Sequence, residues 1–327
     1  MSSATSCLQH GRTTTSRRLA AMLMLIAACV LCLARAGAAI TIVPTFDTTI
    51  TSDPSAATIE STINSVIGTY DAFFTNAVTV PIKFQETTSG LASSSTWIGT
   101  IPYSGFVAQL AAVGTTQNAA TALATLPAGT VNPVDNSSSL SVSVANASTL
   151  GYSVGATPDG FDGTVSLNTS IMNLTTSGGS ASKYSLAAAT MHEIDEVLGL
   201  GSGLNGTTYS RPEDLFRFSA AGVRSYSTSA ASSYFSINNG TTNLVGFNQN
   251  SGADYGDWYS SGAHVVRVQD AYGTPGTFPT LSSAEITAMN VIGYNSLSTT
   301  LPEPATPLLV TCAMAMLALR DRKKKES

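Results

Sequence analysis

The sequence predicts an α+β domain, and three observations carry that prediction. Residues 56–74 repeat apolar side chains at helical spacing, whereas residues 77–85 alternate them at the spacing of a strand. A second helical pattern begins near Lys183. Helical and strand patterns interleaved in this way indicate one domain in which both kinds of element share a core.

The elements follow from these periodicities in chain order. The first helix starts after Ser52-Asp53-Pro54, and the strand over 77–85 leads into a Ser/Gly-rich stretch with a turn near Trp97 and Tyr103. The later elements are a helix over 106–126, strands over 139–144 and 163–167, a helix from about Lys183 and a last helix over 284–293.

The amino-terminal end is typical of a targeting segment. Arg17 and Arg18 precede an apolar run over 19–33, and Ala36-Gly37-Ala38 matches a small-residue cleavage site. Residues 1–38 therefore predict a secretory signal peptide, with a retained membrane anchor as the alternative. The apolar run is shorter than the roughly 20 residues that a membrane span needs.

The carboxyl-terminal end has three elements in a fixed order. Leu301-Pro302-Glu303-Pro304 is followed by an apolar run over 307–319 and a basic cluster over 320–325. This order resembles the PEP-CTERM sorting signal of Gram-negative bacteria, with a tail anchor as the alternative. The resemblance implies a transient membrane hold through residues 301–327, removal by an exosortase-type processing enzyme, and release to the cell surface or outside.

Composition excludes several function classes for the body between these ends, residues 39–300. That body has six basic and seventeen acidic residues, a formal charge of −11, so nucleic-acid backbones would repel it. All four cysteines lie in the terminal segments. Neither disulfides nor a thiol nucleophile are therefore expected in the body.

The run from Met191 to Gly199 concentrates the ionisable groups. Only 11% of the chain is charged, yet four such groups fall within five residues: His192, Glu193, Asp195 and Glu196. On a helix, His192 and Glu196 share one face and could bind one metal ion, with Glu193 beside them. The alternative interpretation is an ordinary solvated helix face.

This layout is similar to that of zinc peptidases with the pattern H-E-x-x-H, with Glu196 in place of the second histidine. Gly199 matches the glycine of the metzincin pattern, but Ser202 stands where that pattern has its third histidine ligand. Further segments resemble a group of secreted metallopeptidases associated with PEP-CTERM signals, over 213–219, 254–258, 268–273 and 284–293. The resemblance covers roughly residues 56–295. It implies a zincin, metzincin-like fold, with a metal-binding helix packed on a mixed sheet and zinc as the cofactor.

A catalytic zinc site needs a third protein ligand and an open position. His264 is the only other histidine of the body, and we expect its ring within about 5 Å of His192 if it is that ligand. Two histidines and Glu196 would leave the site with a net positive charge. Asp254 or Asp257 is the alternative; either would make the site nearly neutral and favour manganese or calcium.

The function expected from these residues is metal-dependent hydrolysis of a protein or peptide substrate outside the cell. Glu193 would act as the general base on water and later protonate the leaving amine. The alternative is a non-catalytic surface or matrix protein with a degenerate metal site on the same fold.

Glu213 and Asp214 are expected to have a structural role at the start of a helix. Met289 is expected to lie in the core.

Overall fold

The computed structural model describes residues 39–229 and 232–297. The predicted signal peptide and the predicted sorting segment, with the four cysteines, lie outside these residues. Among the described residues, no helix is long and apolar enough to cross a membrane.

The described residues contain both helices and strands, as the sequence predicts. The helices are α1 (Thr48–Thr51), α2 (Ala56–Phe73), α3 (Tyr103–Val113), α4 (Gln117–Leu123), α5 (Val144–Thr149), α6 (Leu186–Leu198) and α7 (Ser283–Val291). The strands are β1 (Thr41–Phe46), β2 (Thr79–Glu86), β3 (Ala92–Thr96), β4 (Ile98–Pro102), β5 (Ser139–Ser143), β6 (Gly163–Leu167), β7 (Met172–Asn173), β8 (Tyr184–Ser185), β9 (Arg217–Ala220), β10 (Val223–Arg224), β11 (Tyr234–Phe235) and β12 (Val245–Gly246). The α+β class is confirmed.

The main sheet is mixed and has the strand order β1-β2-β6-β3. Strands β1, β2 and β6 run parallel, and β3 pairs antiparallel with β6 at the edge. Helix α6 packs on β3, β6 and α2. A Cβ on Gly163 of β6 would lie 2.6 Å from Cγ2 of Val197, so a side chain there would hold α6 away from the sheet.

The second four-stranded sheet is antiparallel, in the order β10-β9-β11-β12. A cluster of aromatic rings includes Phe235 of β11. The ring centroid of Trp258 lies 5.6 Å from that of Phe235 and 5.2 Å from that of Phe247. Trp258 is fully buried. The packing of these rings holds the chain on both sides of Trp258. This part of the chain contributes Asp257 to the site described below.

The sequence did not predict several elements, among them β1, β4 and α5, and two segments that it did describe have a different structure. The helix predicted over 106–126 is two helices, α3 and α4, because the chain turns at Gly114, whose Cβ would lie 2.6 Å from the Leu110 carbonyl oxygen. Thr116 then caps α4 by accepting a hydrogen bond from the amide of Ala119. The Ser/Gly-rich stretch before Trp97 is partly a strand, β3.

Candidate metal centre

Helix α6 presents the candidate site. It starts where the hydroxyl of Ser185 accepts a hydrogen bond from the amide of Ala188, and it ends at Gly199, whose φ of +132° is accessible to glycine. Between these caps, the spacing of four residues places His192 and Glu196 on one face. The local sequence is sufficient to form this part of the site.

Two carboxylates face the same nitrogen of His192. Nε2 lies 3.6 Å from Oε1 of Glu196 and 3.7 Å from Oδ1 of Asp257. Two ligands that each lie about 2.1 Å from a tetrahedral zinc ion are about 3.4 Å apart. Each of these two separations therefore suits a pair of ligands on one ion.

The other nitrogen of His192 has a fixed partner. Nδ1 lies 2.9 Å from the carbonyl oxygen of Val268, which can only accept, so Nδ1 donates its proton there. This arrangement directs Nε2 towards Glu196 and Asp257. A backbone acceptor of this kind is the usual support of a metal-binding histidine.

The electrostatics of the group favour a bound cation. Burial alone would lower the pKa of His192, but Asp257, Glu196 and Glu193 together raise it well above the ordinary value. The imidazolium proton on Nε2 thus occupies the place that a cation would take. Burial, and then the charges of neighbouring acids, raise the pKa of Glu193 and of Asp257 as well. A divalent ion would relieve that repulsion.

Glu193 lies beside the pair, as expected for a base. One ligand atom from each of His192, Glu193 and Glu196 lies within 4.8 Å of the others. Glu193 is only 4% exposed, and its buried Oε2 has no hydrogen-bond partner among the described residues. His192, Glu193 and Glu196 therefore form a group that could hold a metal ion. Asp257 approaches Nε2 of His192 from another segment of the chain.

His264, the expected third ligand, has other partners in the structure. Its Nε2 lies 3.0 Å from Oδ2 of Asp270 and its Nδ1 lies 2.9 Å from the carbonyl oxygen of Gly262, so both ring nitrogens are engaged elsewhere. The position beside His192 belongs to Asp257, one of the two alternatives that the sequence left open.

Asp254, the other alternative, forms a turn. Its Oδ1 accepts hydrogen bonds from the amide of Gly256 at 2.7 Å and from the side chain of Asn205. This is the turn-forming role that an aspartate before a glycine often has. Asp254 still lies in the wall of the cavity described below and adds negative charge to it.

One segment supplies both Asp257 and the carbonyl of Val268. The amide of Trp258 donates to the carbonyl of Gln269 at 2.7 Å, and the amide of Ala271 donates back to the carbonyl of Trp258 at 3.0 Å. The indole Nε1 of Trp258 donates to Oε1 of Glu285 on α7 at 2.9 Å. These bonds anchor the segment against the last helix, and the sequence around Trp258 and Gln269 is among those that carried the resemblance.

The turn after α6 explains why Ser202 is not a ligand. Its hydroxyl donates to Oδ1 of Asp214 at 2.5 Å, and the amide of Gly203 donates to Oδ2 of the same residue at 2.8 Å. Glu213 accepts from the amide of Gly201 at 2.5 Å. Glu213 and Asp214 are both buried, so they hold this turn, and their role is structural as the sequence suggested.

Asp195, the fourth ionisable group of the motif, points away from the site. It is fully buried, and its Oδ1 accepts from the hydroxyl of Tyr70 at 2.7 Å. The same hydroxyl lies 2.9 Å from the carbonyl oxygen of Met191. Tyr70 therefore links α2 to the core side of α6. Met289 is also fully buried, as expected for a core residue.

A cavity of about 600 Å³ opens over His192, Glu193, Glu196 and Asp257. One wall is the edge strand β3 with the residues just before it, and the others come from the start of α6 and from the segments around Asp254 and Asp270. Ser94 of β3 also contacts the site, because its hydroxyl donates to Oε2 of Glu196 at 2.6 Å. Sequence reasoning missed the contacts of Ser94, which carries no motif, and of the Val268 carbonyl, although residues 268–273 are among the segments that carried the resemblance.

Comparison of the chain with models of protein families, with curated proteins and with solved structures finds no match.

Proposed function

We propose that this protein is a secreted or surface peptidase that uses a divalent cation, with zinc as the first candidate. The observation that carries the proposal is the convergence of Glu196 and Asp257 on Nε2 of His192, with Glu193 adjacent and a cavity open above them. The element order and the packing of α6 on a mixed sheet support a zincin-like fold as part of the same proposal.

His192, Glu196 and Asp257 would hold the cation, which supplies Lewis acidity to water and to a carbonyl oxygen when bound. Glu193 is placed to accept the proton of the attacking water and to deliver it to the leaving amine. Its buried Oε2 has no competing partner among the described residues, so it is available for that proton.

A peptide is the substrate class that the cavity favours. Strand β3 pairs only with β6 among the described residues, so its outer edge offers unpaired backbone groups along one wall. An extended peptide can add to such an edge through backbone hydrogen bonds, largely independently of its side chains. This arrangement would bring a peptide bond alongside Glu193.

The test is cleavage of an unstructured protein by the purified full-length chain, with and without a chelator. We expect cleavage to stop with chelator and to return with added zinc. Glu193→Gln should lose about 10²–10⁴-fold in rate while retaining the cation. Glu60→Gln on α2, far along the chain from the site, is the matched control and should cleave as the wild type does.

Two outcomes would count against the proposal. Cleavage that is insensitive to chelator, or full activity in Glu193→Gln, would remove the mechanism. A stoichiometric cation without cleavage of any substrate would favour the non-catalytic alternative, which one observation supports: with a single histidine and two carboxylates, the ligand set is nearly neutral and the cation a weaker Lewis acid.

A further inference from the structure

The two carboxylate oxygens of Glu196 have different partners. Oε1 faces Nε2 of His192 at 3.6 Å, whereas Oε2 accepts a hydrogen bond from the hydroxyl of Ser94 at 2.6 Å. A hydroxyl-to-carboxylate bond of this length is charge-assisted and strong. The glutamate is therefore held with one oxygen towards the site and the other towards β3.

Ser94 is distinguished from its neighbours by this contact. It is the middle one of three consecutive serines in β3, and among the described residues neither Ser93 nor Ser95 makes a side-chain hydrogen bond. Side chains alternate between the two faces of a strand, and α6 packs against β3. The fold thus places only the hydroxyl of Ser94 against Glu196.

The contact limits how Glu196 could bind a cation. An oxygen that already accepts a short hydrogen bond is a poor second ligand, so Glu196 would bind through Oε1 alone. Tetrahedral zinc needs only one oxygen from each carboxylate, whereas calcium takes six to eight oxygens and often binds carboxylates through both. Asp257 has no such restraint, because its carboxylate makes no hydrogen bond among the described residues.

We propose that Ser94 is a positioning residue that keeps Glu196 to one metal-facing oxygen and thereby favours zinc over larger cations. This inference depends on the proposed metal site. Ser94 does not bind the cation in this role; it acts through Glu196.

The experiment measures cation binding by the full-length chain carrying Ser94→Ala. We expect zinc affinity, from competition with a chromogenic chelator, to fall by about 10–100-fold, the usual effect of losing a partner of a metal ligand. X-ray absorption of the zinc-loaded variant should show one more oxygen neighbour than the wild type. The ratio of manganese to zinc affinity should rise.

Two matched variants separate this role from general damage. Ser94→Thr keeps the hydroxyl and should restore both the affinity and the coordination number. Ser95→Ala changes an exposed serine of the same strand and should leave both unchanged.

The outcomes distinguish this inference from the proposed function. Absence of zinc binding by the wild type would overturn both. A wild type that binds zinc, with Ser94→Ala identical in affinity, coordination number and manganese-to-zinc ratio, would overturn only the role of Ser94. Weaker binding with an unchanged coordination number and ratio would also refute it, because the selectivity would then lie elsewhere.

Discussion

Gly256 packs so closely on Gly201 that a Cβ at Gly256 would overlap the Cα of Gly201. Gly201 belongs to the turn that ends α6, and Gly256 immediately precedes Asp257. The close approach of two glycines therefore sets how near the aspartate-bearing segment comes to the helix that carries His192.

Gly256→Ala should displace that segment, because the new methyl group meets backbone, which has little freedom to move. We expect a loss of about 1–3 kcal/mol in the free energy of unfolding, the usual cost of overpacking. Cation affinity should fall with it, measured by chelator competition. Gly99→Ala is the control, since a Cβ there meets no atom within 4 Å. Equal effects of the two substitutions would argue against this account.

The third ligand can be tested by comparing Asp257→Ala with His264→Ala. Removing Asp257 should weaken cation binding by more than about 100-fold, since losing a direct ligand costs more than losing one of its supports. His264→Ala should bind the cation normally, because its ring contacts Asp270 and Gly262 instead. Metal content by mass spectrometry of the purified variants would show which is correct. A larger loss of cation from His264→Ala than from Asp257→Ala would indicate that His264 is the third ligand.

Tyr70→Phe should destabilise the fold without altering cation binding. It removes the hydroxyl that donates to buried Asp195, and a buried acceptor left without its donor costs about 1–3 kcal/mol. Denaturant unfolding would measure the loss, and chelator competition would show an unchanged affinity. A large change in affinity with little change in stability would place Asp195 within the site after all.

Asp162 should make stability depend on pH. Asp162 is 8% exposed, and its carboxylate accepts no hydrogen bond from the described residues. Burial raises its pKa to about 6. An unfolded aspartate has a pKa of about 3.9, so the folded state holds the proton more tightly. As the pH rises from about 4 to about 6, the free energy of unfolding therefore falls.

Asp162→Asn should abolish this fall in the free energy of unfolding with rising pH. The variant should be more stable than the wild type at pH 7 by an amount on the order of 1–3 kcal/mol and nearly equal to it below pH 4. Denaturant unfolding at the two pH values tests this. A difference that is the same at both would show that the charge of Asp162 is not its cause.

Local patterns in the sequence predicted the parts of the fold that depend on local structure. The spacing of His192 and Glu196 was enough to place them on one helix face, and β6 has the bounds predicted for it, residues 163–167. Helices α2 and α7 also lie close to the bounds predicted for them, residues 56–74 and 284–293. Each of these predictions rests on residues within a single element.

The approach of Asp257 to His192 could not be predicted in the same way. Histidine was favoured over aspartate on chemistry, but the path of the segment is set by contacts distant in sequence, such as Trp258 with Glu285 and Gly256 with Gly201. Strand β3 was missed because three serines lack the branched side chains that mark strands. Its pairing with β6 is what makes it a strand.

The bond between Trp258 and Glu285 also links the last helix to the site. A chain ending before α7 would still have His192 and Glu196 as neighbours on a helix, but it would lack the anchor of the segment that brings Asp257 to them. The last helix is therefore one of the supports of the segment that carries Asp257. A chain that ends before α7 should therefore hold Asp257 less firmly beside His192 than the whole domain does.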